Sequence, residues 1–168
     1  MQAIPPPCLL VMGVSGCGKS TIAHLLSEKL SLTFLEADDF HPLVNKQKMS
    51  AKIPLTDTDR LPWLQRIGTA MKVQEENGFV LACSALKESY RRLLQSAIDS
   101  SLQIVFLEGS SEQILQRMNA RENHFMPTDL LKSQFQDLEI PENAINIDIH
   151  KPPLEIVEEV LQCLNQTQ

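Results

Sequence analysis

The chain has 168 residues, 43% of them hydrophobic, enough for one compact domain, residues 1–168, with a sizeable core. Its formal net charge of -6 argues against a dedicated nucleic-acid binder, which carries a basic surface, and no apolar run approaches the ~20 residues needed to cross a bilayer. The four cysteines, Cys8, Cys17, Cys83 and Cys163, lack C-x-x-C spacing, so neither a zinc site nor a disulfide framework is expected. Reduced cytoplasm is the expected location, with neither nucleic acid nor membrane as partner.

Pro5-Pro6-Pro7 separates a short tail from the first expected strand, Leu9–Met12. Gly13-Val14-Ser15-Gly16-Cys17-Gly18-Lys19-Ser20 follows and fits G-x-x-x-x-G-K-[ST] at every fixed position. Ile22, Ala23, Leu25, Leu26 and Leu30 then repeat at helical spacing, predicting a helix over Lys19–Leu30. Strand, glycine loop and helix together form a phosphate cradle. Loop amides and the helix N-terminus attract anions, Lys19 reaches the β- and γ-phosphates, and Ser20 ligates Mg²⁺. The alternative, a glycine-rich turn with a chance lysine, has no use for that flanking context. The nucleotide site is assigned to Gly13, Val14, Ser15, Gly16, Cys17, Gly18, Lys19, Ser20 and Thr21.

Further strands are expected near Thr33–Glu36, Phe79–Cys83, Gln103–Leu107 and Ala144–Ile149, and helices at Trp63–Glu76, Lys87–Ala97, Glu112–Asn119, Thr128–Gln136 and Leu154–Leu164. The strands do not alternate strictly, as expected where both faces are covered. Pro62 reads as a helix start, and Ser110 or Ser111 as a cap. Two polar stretches are too long for ordinary connections, at about 39–61 and 121–128. They follow strands two and four, so both can overhang the carboxyl edge of the sheet, where ligands bind in open α/β folds. The fold class is therefore α/β, a three-layer sandwich around a five-stranded parallel sheet.

One long ordered set of residues goes beyond these generic signals. Glu36-Ala37-Asp38-Asp39-Phe40-His41-Pro42, Asn45, Lys48-Met49, Asp57, Asp59-Arg60 and Pro62-Trp63-Leu64 resemble the gluconokinase family. Cys83-Ser84-Ala85-Leu86-Lys87, Tyr90-Arg91, Arg117-x-x-x-Arg121, His124-Phe125-Met126, Ser133-Gln134-Phe135 and Leu138-Glu139 extend the resemblance from about Leu10 to Ile149. It implies a P-loop fold of the nucleoside-monophosphate-kinase type, shared with shikimate kinases. The implied reaction is ATP-dependent phosphorylation of D-gluconate at its 6-hydroxyl, with Mg²⁺, feeding the pentose phosphate pathway. Similar enzymes are often homodimers; nothing in the residue pattern demands that assembly.

Phosphoryl transfer needs positioning and charge stabilisation more than covalent chemistry. Lys19, Asp38 and Arg121 are the catalytic candidates, with Ser20 and Asp38 as metal ligands. Asp38 stands at a strand end, where it can accept the proton of the attacking hydroxyl or hold Mg²⁺ through water; its bland alternative is a turn cap. Glu36 stands where the family pattern has aspartate, and its longer stem disfavours direct metal contact; no aspartate ends the Phe79–Cys83 strand either, which shifts the metal role to Ser20 and Asp38. Arg60 is the candidate clamp for the gluconate carboxylate, against a surface pair with Asp57 or Asp59. His41, Lys48, Ser84, Lys87, Arg91, His124 and Gln134 complete the expected acceptor site. Trp63 reads as core or pocket wall. Arg117 and Arg121, four apart on one helical face, reach toward ATP under a lid at 121–128 that excludes water. Asn123 replaces a family glycine in that lid. The competing readings are a kinase for shikimate or another polyhydroxy acid, and a non-catalytic nucleotide-binding module.

Overall fold

The computed structural model describes residues 5–120 and 128–166. Its spine is a parallel sheet of five strands in the order β2-β3-β1-β4-β5. Strand β1 (Cys8–Met12) leads into α1 (Lys19–Leu30), β2 (Thr33–Glu36), a 3₁₀ turn (Ala37–Phe40), α2 (Leu43–Ser50) and α3 (Asp57–Gln74). After β3 (Phe79–Ala82) come α4 (Glu88–Ser96), β4 (Leu102–Glu108), α5 (Ser111–Asn119), α6 (Thr128–Asp137), β5 (Ala144–Asp148) and α7 (Pro153–Gln166). This is the α/β architecture expected from the alternation of apolar runs and helical patterns.

All residues of β1 are buried because successive side chains enter opposite cores. Leu9 and Val11 join Ile22, Leu26, Ile114, Val157 and Val160 on the α1–α7 side. Cys8, Leu10 and Met12 join Trp63, Ile67, Met71, Tyr90 and Leu94 on the α3–α4 side. Sheet order places β1 between β3 and β4, so the chain changes direction at the carboxyl end of β1. Open sheets bind ligands at such switch points.

The helix expected to begin at Trp63 instead begins at Asp57. The Thr56 hydroxyl accepts from Asp59 N and the Asp59 carboxylate accepts from Thr56 N, a reciprocal capping box that starts the helix well before Trp63. Pro62 therefore lies inside α3, not at its start. The same box resolves the other cap: Ser110, with Gln113, starts α5. The stretch expected at 39–61 folds as a 3₁₀ turn, α2 and the start of α3. The expected lid at 121–128, with Arg121, Asn123 and His124, lies outside the described residues except where Thr128 opens α6.

Candidate active site

The loop after β1 turns on Gly16 (φ 81°) and Gly18 (φ 99°), the latter capping α1. Both angles lie in the left-handed region that side chains resist. Gly13 is needed for a different reason: a Cβ there would stand 2.8 Å from the Leu107 carbonyl oxygen. Lys19 Nζ donates to the Val14 carbonyl at 3.1 Å, which holds the ammonium against the loop. Arg117 Nη1, from α5, lies 3.7 Å from where a Cβ of Gly18 would sit. Two cations thus flank one glycine loop at a helix N-terminus.

The end of β2 completes this half of the site. Ser20 Oγ donates to Glu36 Oε2 at 2.5 Å, joining the loop serine to the carboxylate that ends β2. The fully buried Cys83 thiol is pushed up to about 12 by burial above all, and the charges of Lys19, Asp38 and Glu36 all act on it. Those three groups therefore lie within electrostatic reach of the carboxyl end of β3. Among the described residues, the Asp38 carboxylate has no hydrogen-bond partner, so it is available to a ligand. Hard oxygen donors of this kind suit Mg²⁺, which takes one or two protein ligands and fills its shell with phosphate and water.

A second polar cluster is built by α3 and α4. Tyr90 donates its hydroxyl proton to Asp57, Lys87 Nζ donates to the same carboxylate at 3.0 Å, and Arg60 Nη1 donates to Tyr90 Oη at 3.3 Å. Arg60 also lies 3.8 Å from Asp57. These bonds, from Tyr90 first and then Lys87, hold Asp57 below the usual carboxylate range. With two cations around one carboxylate, the cluster carries a net positive charge suited to a small anion. Ala85, in the loop between β3 and α4, is held at φ 41°, strain of the kind that collects at ligand-binding loops.

His41, which caps the 3₁₀ turn, lies within electrostatic reach of both Asp38 and Arg60. Its ring stacks on the Trp63 indole, with centroids 4.3 Å apart and planes 9° apart, and Trp63 Nε1 donates to the Ala37 carbonyl at 2.7 Å. Trp63 is thus both core and wall. Burial lowers the His41 pKa, Asp38 opposes that shift, and Arg60 and Lys46 reinforce it.

A family model described as an AAA domain matches residues 9–140. The thermosensitive gluconokinase of Escherichia coli (strain K12) is 41% identical over 162 residues, spanning 92% of this chain and 86% of that protein. The crystal structure of a gluconokinase from Sinorhizobium meliloti 1021 superposes with a TM-score of 0.90 at 42% identity, covering 98% of this chain and 95% of that one. The chain belongs to the gluconokinase family. Shikimate kinase from Aquifex aeolicus, at 20% identity and a TM-score of 0.65 over 95% of this chain and 96% of that one, shares the fold. The chain is accordingly a P-loop kinase, a fold that uses a nucleoside triphosphate and typically a divalent metal. Among the described residues no helix is long and apolar enough to cross a membrane.

Within this kinase, several residues sit differently from their sequence reading. Arg91 does not line the cleft: it is 5% exposed and donates to the carbonyls of Ala85, Leu86 and Glu139, pinning the loop that carries Lys87. Gln134 meets the phosphate loop at Ser15, not the acceptor cluster. Lys48 is tied to Asp59 at 2.8 Å, which joins α2 to the start of α3 and draws the Asp59 pKa down to about 2. Arg60 makes the loose pair with Asp57 that was weighed for it, and its Nη1 also donates to Tyr90 Oη, a contact the sequence did not suggest. Ser84 is half-buried in the loop after β3. Sequence reasoning passed over Glu36 as the Ser20 partner, and over Tyr90, Asp57 and Asn45 as site residues. A tyrosine beside two basic residues and an asparagine one helical turn after His41 were the available signals.

Proposed function

We propose that this kinase transfers the γ-phosphoryl group of ATP to the 6-hydroxyl of D-gluconate, giving 6-phospho-D-gluconate and ADP in the cytoplasm. The observation that carries the reading is a phosphate loop and a net-cationic, hydroxyl-bearing cluster linked through shared neighbours: Asp38 and Arg60 both act on His41, and Asp38 and Lys19 both act on Cys83. Lys19, Arg117 and the loop amides hold the phosphate tail. Arg60 and Lys87 take the gluconate carboxylate, with the Tyr90 hydroxyl and His41 meeting hydroxyl oxygens of the chain. The Asp38 carboxylate, which makes no hydrogen bond among the described residues, accepts the proton of the attacking 6-hydroxyl. Ser20 and Glu36, with Asp38 through water, would hold Mg²⁺, which supplies neutralisation of charge on the β- and γ-phosphates. We assign Arg121 and His124 to closure over the reacting groups, following the family resemblance.

The test is a steady-state assay of ADP and sugar-acid phosphate formation on gluconate, shikimate and related acids, with and without Mg²⁺. We expect turnover on gluconate to exceed that on the other acids and to require the metal. Equal turnover on several acids defeats the narrow acceptor assignment. Binding of ATP with no phosphorylation of any acid makes the protein a nucleotide-binding module.

A further inference from the structure

Asn45 is 1% exposed, more deeply buried than any other polar side chain among the described residues. Its Nδ2 group contacts the Asp59 carbonyl at 2.9 Å and His41 Nδ1 at 3.3 Å. Its Oδ1 is buried without a hydrogen-bond partner. An orphaned buried carbonyl oxygen costs stability, so this asparagine is not explained by packing alone.

The geometry leaves one assignment of protons. A backbone carbonyl only accepts, so the amide must turn Nδ2, not Oδ1, toward Asp59. The second Nδ2 hydrogen then points at His41 Nδ1, which must accept it and cannot itself carry a proton. A neutral imidazole has a single N–H, and here it is on Nε2. The Trp63 stack fixes the plane of the ring. Nε2 has no partner among the described residues and is not among the buried unpartnered atoms. The ring stands within electrostatic reach of Asp38 and Arg60, two of the groups assigned to the acceptor.

We infer that Asn45 is a positioning residue that fixes His41 as its Nε2–H tautomer, so that the ring offers one aimed donor to an oxygen of the acceptor. The kinetic part of this inference rests on reading the cleft as the acceptor site; the tautomer itself does not. Without Asn45, the ring divides between two tautomers and half of its encounters present a lone pair in place of a donor.

Histidine-¹⁵N NMR of the full chain near neutral pH reads the tautomer directly, without substrate. We expect a protonated Nε2 and an unprotonated Nδ1 for His41, and reversal in Asn45→Asp, whose carboxylate accepts from Nδ1–H. A protonated Nδ1 in the unsubstituted protein overturns the inference even if gluconate turns over normally. The kinetic arm is a double-mutant cycle with Asn45→Ala and His41→Gln, since glutamine keeps a donor near the Nε2 position and has no tautomer to set. Asn45→Ala should raise KM for gluconate about two-fold, the effect of losing the donor in about half of the ring population, and the rise should vanish in the His41→Gln background. An equal rise in both backgrounds makes Asn45 structural only and sinks the proposal.

Discussion

Gln134 on α6 meets Ser15 of the phosphate loop twice: its Oε1 accepts from the Ser15 backbone N–H at 2.7 Å, and its Nε2 donates to the Ser15 hydroxyl at 3.0 Å. The contact joins residues 119 apart in sequence and ties the helix that follows segment 121–127 to the nucleotide loop. A loop held at its tip presents its remaining amides in a fixed arc, and that order must otherwise be acquired on binding. Gln134→Ala should therefore raise KM for ATP about five- to thirty-fold, from two hydrogen bonds at about 1 kcal/mol each, with KM for gluconate nearly unchanged. A rise confined to gluconate would return Gln134 to the acceptor wall.

Glu36 predicts a metal phenotype. Its carboxylate is already bonded to the Ser20 hydroxyl, so the pair is organised as two hard oxygen donors on one side of the loop. Glu36→Gln keeps the shape and removes the charge. We expect the Mg²⁺ concentration for half-maximal rate to rise at least about ten-fold, a loss of roughly 1.4 kcal/mol, while saturating metal restores much of the rate. Glu36→Asp should fall between the two. If Glu36→Gln titrates like the unsubstituted enzyme and Asp38→Asn does not, the metal belongs to Asp38 alone.

Arg60 and Tyr90 predict a graded loss at the acceptor. The Arg60 side chain is 26% exposed, so its contact with a substrate carboxylate is partly screened, and the lower end of the usual range for a charged pair applies. Arg60→Ala should raise KM for gluconate roughly thirty-fold, about 2 kcal/mol, and leave KM for ATP within about two-fold. Tyr90→Phe removes only the hydroxyl that Arg60 and Asp57 share, and should cost about five-fold in the same constant. Parallel rises in both substrates would mean that Arg60 orders the whole site and does not clamp one ligand.

The sheet and the phosphate loop were legible because their signals are local. Leu9–Met12 is apolar throughout since both its faces are covered, and the spacing from Gly13 to Ser20 specifies a loop by backbone requirement alone. The start of α3 was misplaced because Pro62 outweighed the weaker T-x-x-D signal at Thr56, although the reciprocal bonds at Thr56 and Asp59 decide where the helix begins. Side-chain partners were the illegible part. Arg91, Lys48 and Gln134 are polar residues of the sort that fill an anion site, and only the fold reveals that carbonyls, Asp59 and Ser15 have claimed them. Glu36 was discounted for its longer stem, yet that stem lets it reach Ser20 from the end of β2.

Acid stability should depend on a group far from the site. Glu75, in the turn after α3, accepts from Lys72 and from the backbone N–H groups of Asp99 and Ser100, which tie the end of α3 to the start of β4. Lys72 first, then Ser100, draws its pKa from 4.5 to about 2. A carboxyl group whose pKa is depressed by folding stabilises the fold fully above its unfolded value and loses that contribution as pH falls toward the folded one. The window is therefore about pH 4.5 down to about pH 2. Glu75→Gln should unfold at lower urea than the unsubstituted chain at pH 7, and the two midpoints, followed by circular dichroism, should converge as pH falls through that window. A gap that stays constant from pH 7 to pH 2 would show that Glu75 acts through packing or neutral hydrogen bonds and not through its charge.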